Sequence, residues 1–148
     1  MKLCNHICGL GVLLMSAWIA GCAGNEVRPI ELYPEDACAS CRMAVSDPAF
    51  ASEIITMEDE VLKFDDLRCM ENYRRDHATM KIRAIFVKDY GTRAWLPYEH
   101  SIIVRTSIDT PMGSGKIAAA SAEEAKRLTE AHPPTPDEDA CCKDCATQ

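Results

Sequence analysis

Three sulfur-bearing side chains crowd into the segment "DACASCRMAV" (residues 36–45): Cys38, Cys41 and Met43. A Cys-x-x-Cys pair alone suits zinc, a redox disulfide or copper. Thiolate and thioether together are the soft donors that select Cu(I), whereas zinc takes Cys, His or carboxylate but not Met. Met43 therefore tilts the set toward copper; the competing reading is a methionine that fills a gap in the core. Two more sulfurs join the candidates. Met112 stands between Pro111 and Gly113, where no apolar stripe is at hand, and exposed loop positions of that kind more often serve function than packing. Cys69 lies three residues after Asp66. If Asp66 caps a helix, Cys69 falls in the first turn, where free amides lower a thiol's pKa and favour the thiolate. The alternative is a small residue buried on that helix. Cys38, Cys41, Met43, Cys69 and Met112 are thus the candidate metal donors, and they need not all hold one ion.

Whether these thiols are free depends on the compartment. The chain opens "MKLCNHICGLGVLLMSAWIAGCAGN": one Lys, an uncharged apolar run, then small residues. That is the layout of a secretory signal peptide rather than of a membrane-spanning helix. Ile19-Ala20-Gly21-Cys22 resembles the bacterial lipobox. It implies removal of residues 1–21 and a lipid-modified Cys22 that anchors the protein to a membrane, with Ala23 leaning toward the outer one. Of nine cysteines, Cys4 and Cys8 then leave with the signal and Cys22 takes the lipid. The remaining six, Cys38, Cys41, Cys69, Cys141, Cys142 and Cys145, would default to disulfides in an exported chain. They are clustered rather than scattered, which favours metal binding or redox chemistry.

The elements that must position these residues are short. Residues 22–37 are polar, carry two prolines and read as a flexible tether. Ile54–Thr56 and Val61–Phe64, joined through Glu58-Asp59-Glu60, predict a β-hairpin. A helix follows over about 67–77, capped by Asp65 or Asp66, with Leu67, Met70, Tyr73 and the stem of Arg74 on its inner stripe. In the strand "KIRAIFVKDYG", Ile82, Ala84 and Phe86 alternate with Arg83 and, less cleanly, with Ile85 and Val87. "RAWLPYEHSIIVRT" predicts one or two more strands, with Pro97 at a break or an edge. Pro111, Gly113 and Gly115 predict an exposed loop before "KIAAA". Ser121-x-x-Glu124 is a capping box that opens a second helix ending near His132. Residues 133–148 form an acidic, Cys-rich tail expected to be mobile. The order sulfur, loop, strand, cap, helix occurs twice, around Met43 and around Met112, which suggests an internal duplication.

Composition removes whole classes of function. The formal net charge is −7 over 148 residues, without a basic cluster, so nucleic-acid binding has no support. "GSGK" lacks the spacing of a phosphate-binding P-loop. No Ser or Cys shows a local nucleophile signature. His77, His100 and His132 lack partner spacing and read as surface or helix-end residues. Capping accounts for the Asp65-Asp66 pair.

Two resemblances follow from these motifs. "CRMAV" with "FDDLRC" resembles the treble-clef TRASH and YHS metal-binding modules, with Cys41, Met43, Val45, Phe64 and Cys69 on the pattern. Asp65 stands where that pattern has a cysteine, and Arg42 where it has glycine. The lipobox, "DACASCRMAV", "FDD", "KDYGTRAW" and above all "TPMGSG" resemble the NosL family, copper-binding lipoproteins accessory to nitrous oxide reductase, over residues 19–132. The tail "CCKDC" falls outside that pattern. The resemblance implies two related ββαβ-type halves, Cu(I) binding, and delivery toward the reductase's copper–sulfur centre with an ABC-type membrane complex.

The expectation is therefore a small α+β protein with treble-clef-like halves, short strands and two helices. Residues 38–132 would form the metal-binding domain of a lipid-anchored, periplasmic, non-enzymatic Cu(I) metallochaperone. The rival readings are a thiol–disulfide oxidoreductase using Cys38 and Cys41, and a structural zinc domain. The first lacks the strand-to-helix placement of a thioredoxin-like Cys-x-x-Cys, and the second leaves Met43 and Met112 unexplained.

Overall fold

A computed structural model describes residues 26–134. The signal segment, Cys22 and the tail cysteines Cys141, Cys142 and Cys145 lie outside the described residues. The expected hairpin is β1 (Ser52–Thr56) and β2 (Val61–Phe64), with Ile54 opposite Leu62 and Ser52 opposite Phe64. Its turn places Asp59 at φ 64°, a left-handed position that Asp tolerates better than most residues. Helix α1 (Leu67–Asp76) follows at once, and β3 (Ile82–Lys88) returns to pair with the other edge of β1. β4 (Trp95–Pro97) closes a four-stranded antiparallel sheet of order β2-β1-β3-β4. Pro97 is thus on an edge strand, where a missing amide hydrogen costs least. β5 (Ile102–Arg105) and β6 (Lys116–Ala119) form a separate two-stranded sheet, and α2 (Ala122–Ala131) packs on it. The class is α+β, with short strands and two helices.

The two halves are built alike at one junction. β2 ends at Phe64, Asp66 caps, and α1 begins at Leu67; β6 ends at Ala119, Ser121 caps, and α2 begins at Ala122. Both caps accept an amide of the first turn, Arg68 N at 2.7 Å and Glu124 N at 3.2 Å, which satisfies donors the helix leaves open. The first half runs ββαβ with β4 added to its sheet, and the second ββα, among the described residues. Asp89 joins them. Its Oδ1 accepts the Ala120 amide at 3.0 Å and its Oδ2 the Thr92 amide and hydroxyl at 2.8 and 2.6 Å. The Tyr90 amide donates to the Ala118 carbonyl at 2.9 Å.

The main core gathers Ile54, Leu62, Phe64 and Val87 from the sheet, Leu67, Cys69 and Met70 from α1, and Cys38 and Ala118 from elsewhere. Leu67 and Met70 are the buried stripe expected for α1. Met70 is fully buried, so its truncation to Ala would cost about 2–5 kcal/mol. A second cluster under α2 holds Ala49, Phe50, Ile117, Ala119, Ala125 and Leu128. β3 departs from the alternation its sequence suggests. Val87 is in the main core and Ile82 and Ile85 pack against it, while residues from Ile82 to Phe86, Ala84 and Phe86 among them, border an open groove with Trp95, Pro97 and Tyr98. The cause is a register shift opposite Ile55 and Thr56, since a bulged residue changes which side its neighbours face.

Candidate metal site

Residues 36–45 fold into a tight knuckle. The Cys38 amide donates to the Met43 carbonyl at 2.8 Å, and the Arg42 amide to the Cys38 carbonyl at 2.9 Å. Ala37 and Ala44 form an antiparallel bridge at its base. The turn needs one residue in the left-handed region, and that residue is Arg42 at φ 67°. This is the position at which the treble-clef pattern carries glycine, which adopts that conformation without steric cost. The Ala39 amide bonds the Lys63 carbonyl at 2.8 Å, so the knuckle is fastened to β2. The chain before it is also tied to the sheet. The Ile30 amide donates to Glu53 Oε1 at 3.0 Å, and Lys63 Nζ to the Glu31 carbonyl and Asp36 Oδ2 at 2.7 and 2.6 Å.

The knuckle meets the start of α1. The Sγ atoms of Cys38, Cys41 and Cys69 and a carboxylate oxygen of Asp65 all lie within 4.8 Å of one another. Zinc–thiolate bonds of about 2.3 Å place the sulfurs of a tetrahedral site about 3.8 Å apart, so this spacing is that of donors ready to close on one ion. The three cysteines are free. Cys38 is 0% exposed, Cys69 and Asp65 are also buried, and Cys41 is half-buried. The site therefore has a closed floor and one more accessible sulfur.

Electrostatics favour the protonated forms of the Cys38 and Cys69 thiols in the metal-free chain. Burial pushes the Cys69 thiol far up, reinforced by the Asp65 carboxylate and by Cys38 beside it. Cys69 does lie in the first turn of α1, but desolvation and a neighbouring carboxylate outweigh the helix amides, contrary to the pKa lowering expected from sequence. Burial also raises Cys38, against the backbone amides of Cys41, Asp65 and Ser40 that lower it. A bound metal cation would reverse this balance, because direct coordination to sulfur stabilises the thiolate and displaces its proton.

Asp65 is the residue that sequence reasoning missed. Both aspartates were accounted for by capping, yet Asp66 is the cap. Asp65 instead takes the Cys41 thiol on Oδ2 at 3.4 Å, and its Oδ1 is buried without a hydrogen-bond partner. An orphaned buried acceptor is costly, and a metal ion would satisfy it. The signal was present: two adjacent Asp precede a helix that needs one.

The methionines are placed differently. Met112 is half-buried and packs against the main core, which includes Cys38 and Cys69, rather than standing free in an exposed loop as its Pro-Met-Gly setting suggests. Met43 leaves the knuckle with 47% of its surface exposed, so it fills no gap in the core. The histidines hold the surface or helix-end positions expected of them. His77 stacks on Tyr73 at 4.0 Å between centroids, His132 ends α2 and His100 is exposed.

Comparison with known proteins bears on the family and the fold. The family model NosL matches residues 29–133. No curated protein matches the sequence. Among solved structures, the copper chaperone NosL from Shewanella denitrificans is similar with a TM-score of 0.66 at 15% identity, over 76% of this chain and 93% of that one. At that identity the likeness is one of fold.

Proposed function

The chain belongs to the NosL family, and we propose that it is a Cu(I)-binding metallochaperone rather than an enzyme. The observation that carries the reading is the convergence of Cys38, Cys41 and Cys69 within 4.8 Å, with Asp65 among them. Three thiolates are a soft set suited to Cu(I), and half-buried Met112 packs against the hydrophobic core that holds Cys38 and Cys69. Loading releases the thiol protons. Cys38 and Cys69 hold the ion from the buried side, while half-buried Cys41 is the sulfur a partner's ligand can displace first. Met43, exposed beside it on the knuckle, supplies a neutral thioether at the mouth during exchange.

In this reading the destination is the copper–sulfur centre of apo nitrous oxide reductase, reached with an ABC-type membrane complex. The protein works on the periplasmic face of a bacterial membrane, held by lipid on Cys22, with the outer membrane favoured. Anaerobic Cu(I) loading in competition with a colorimetric chelator, with X-ray absorption to count sulfurs, tests the metal. Fractionation and mass analysis of the N-terminal residue test the anchor. Soluble, unacylated protein would overturn that part.

Asp65 favours a second reading, a structural zinc ion on Cys38, Cys41, Asp65 and Cys69, since zinc accepts carboxylate as well as thiolate. Stoichiometric zinc after reducing purification, with loss of fold on chelation, would support it. The oxidoreductase reading gains nothing from Cys38, because an attacking thiol must be accessible and partly ionised, whereas Cys38 is buried and its thiol is pushed up by that burial.

A further inference from the structure

Asp66 does more than end a strand and cap a helix. It is fully buried. Oδ1 accepts the Arg68 amide at 2.7 Å, which is the cap. Oδ2 turns to the other half of the molecule, where it accepts the Thr110 hydroxyl at 2.6 Å and the Met112 amide at 3.1 Å. The Thr110 hydroxyl in turn accepts the amides of Ser114 and Gly115 at 2.9 and 3.3 Å, with Ser114 Oγ at 3.1 Å. The Gly113 amide closes onto the Thr110 carbonyl at 2.8 Å. Gly113 and Gly115, at φ 59° and 62°, let the chain wind this tightly. "TPMGSG" is thus a loop wrapped around one hydroxyl, with Met112 at its crest and Asp66 at its root.

We infer that Asp66 is the positioning residue that holds Met112 as a donor over the thiol site. The inference rests on the reading of Met112 as a copper ligand. The same few residues of backbone present Asp65, Asp66 and, within the first helical turn, Cys69. Fixing the Met112 amide to Asp66 therefore fixes the thioether's base in the frame that carries the thiol and the carboxylate. A carboxylate suits the task because its bonds to hydroxyl and amide are charge-assisted, short and directional.

The test uses the full chain and three variants. Asp66→Asn keeps a helix cap of equal quality but turns an amide donor toward Thr110 and the Met112 amide. Thr110→Val removes the bridging hydroxyl at constant shape, and Thr110→Ser restores it. Cu(I) affinity is measured by competition with bicinchoninate, and the methyl resonance of Met112 is followed by NMR on carbon-13-methyl-labelled protein. Asp66→Asn and Thr110→Val are expected to weaken Cu(I) binding about 10- to 100-fold, the usual effect of losing a partner that orients a ligand. The Met112 methyl should stop responding to Cu(I). Thr110→Ser should behave as wild type, and Asp66→Asn should add nothing in a Met112→Ser background. Undiminished affinity with a responsive Met112 methyl, whatever the melting temperature does, would make Asp66 a structural residue and overturn the inference. If Met112→Ser itself binds Cu(I) as wild type does, the donor reading fails and this inference with it. If Met112→Ser weakens binding while Asp66→Asn and Thr110→Val do not, the positioning role alone fails.

Discussion

Asp65 and Asp66, adjacent and both buried, serve different partners: Asp65 meets the Cys41 thiol at 3.4 Å, whereas Asp66 bonds the Arg68 amide, the Thr110 hydroxyl and the Met112 amide. Asp66 has extended backbone angles, φ −152° and ψ 146°, and its carboxylate turns to the Arg68 amide and the Thr110 hydroxyl while that of Asp65 faces Cys41. One arms the site and the other binds the halves together.

Asp65→Asn should therefore separate metal binding from folding. The substitution removes a buried charge with an orphaned oxygen, and the metal-free protein should melt at the same temperature or higher. Zinc affinity should fall more than Cu(I) affinity, because carboxylate is a zinc donor and a poor match for Cu(I). Calorimetric melts and paired metal titrations measure both; a large drop in apo stability would show that Asp65 is structural.

Metal affinity should rise steeply with pH. The Cys38 and Cys69 thiols are both held above their ordinary range, so each thiolate formed on loading releases a proton. Apparent affinity then increases about tenfold per pH unit for every proton released, with no plateau near neutrality. Affinity independent of pH between 6 and 8 would mean that the thiols are not the ligands.

Glu53 offers a pH test of the sheet. Burial raises its carboxyl, although the Ile30 amide and the lysines Lys63 and Lys88 lower it. A group with a raised folded pKa stabilises fully below its unfolded value, and that contribution disappears as pH rises through the folded one. Glu53→Gln should accordingly melt higher than wild type at pH 7, and the advantage should vanish below about pH 4.5, near the unfolded carboxylate range. Equal melting temperatures at pH 7 would refute it.

Backbone conformation gives an opposed pair of variants. Arg42 sits at φ 67°, so Arg42→Gly should stabilise the knuckle by up to about 1 kcal/mol. Gly115 sits at φ 62°, and an added Cβ would collide with the Thr106 carbonyl. Gly115→Ala should destabilise by at least about 1 kcal/mol. Urea denaturation of both variants checks the signs.

Much of this was legible in the residues. The hairpin, the Ser121 cap and the Cys38–Cys41 knuckle follow from local spacing, because turns, caps and knuckles are short-range structures, whereas Cys69 joins them only through the packing of α1. What escaped was set by tertiary context. Nothing local says which of two aspartates caps a helix, nor that Asp66 reaches across to Thr110. β3 is apolar on both sides, so its alternation could not show that a bulge carries Ile82 to the core with Ile85 and Val87. The pKa of Cys69 depended on burial, which overrides the helix terminus.

Cu(I) stoichiometry in the full chain and in a Cys38→Ser, Cys41→Ser, Cys69→Ser triple variant tests the central claim most directly. Anaerobic titration against bicinchoninate, with X-ray absorption on the loaded protein, should find a high-affinity, sulfur-coordinated Cu(I) in the parent. That site should be absent from the triple variant, whatever weaker binding persists elsewhere. A triple variant that retains the site with the same affinity and sulfur count would contradict the account.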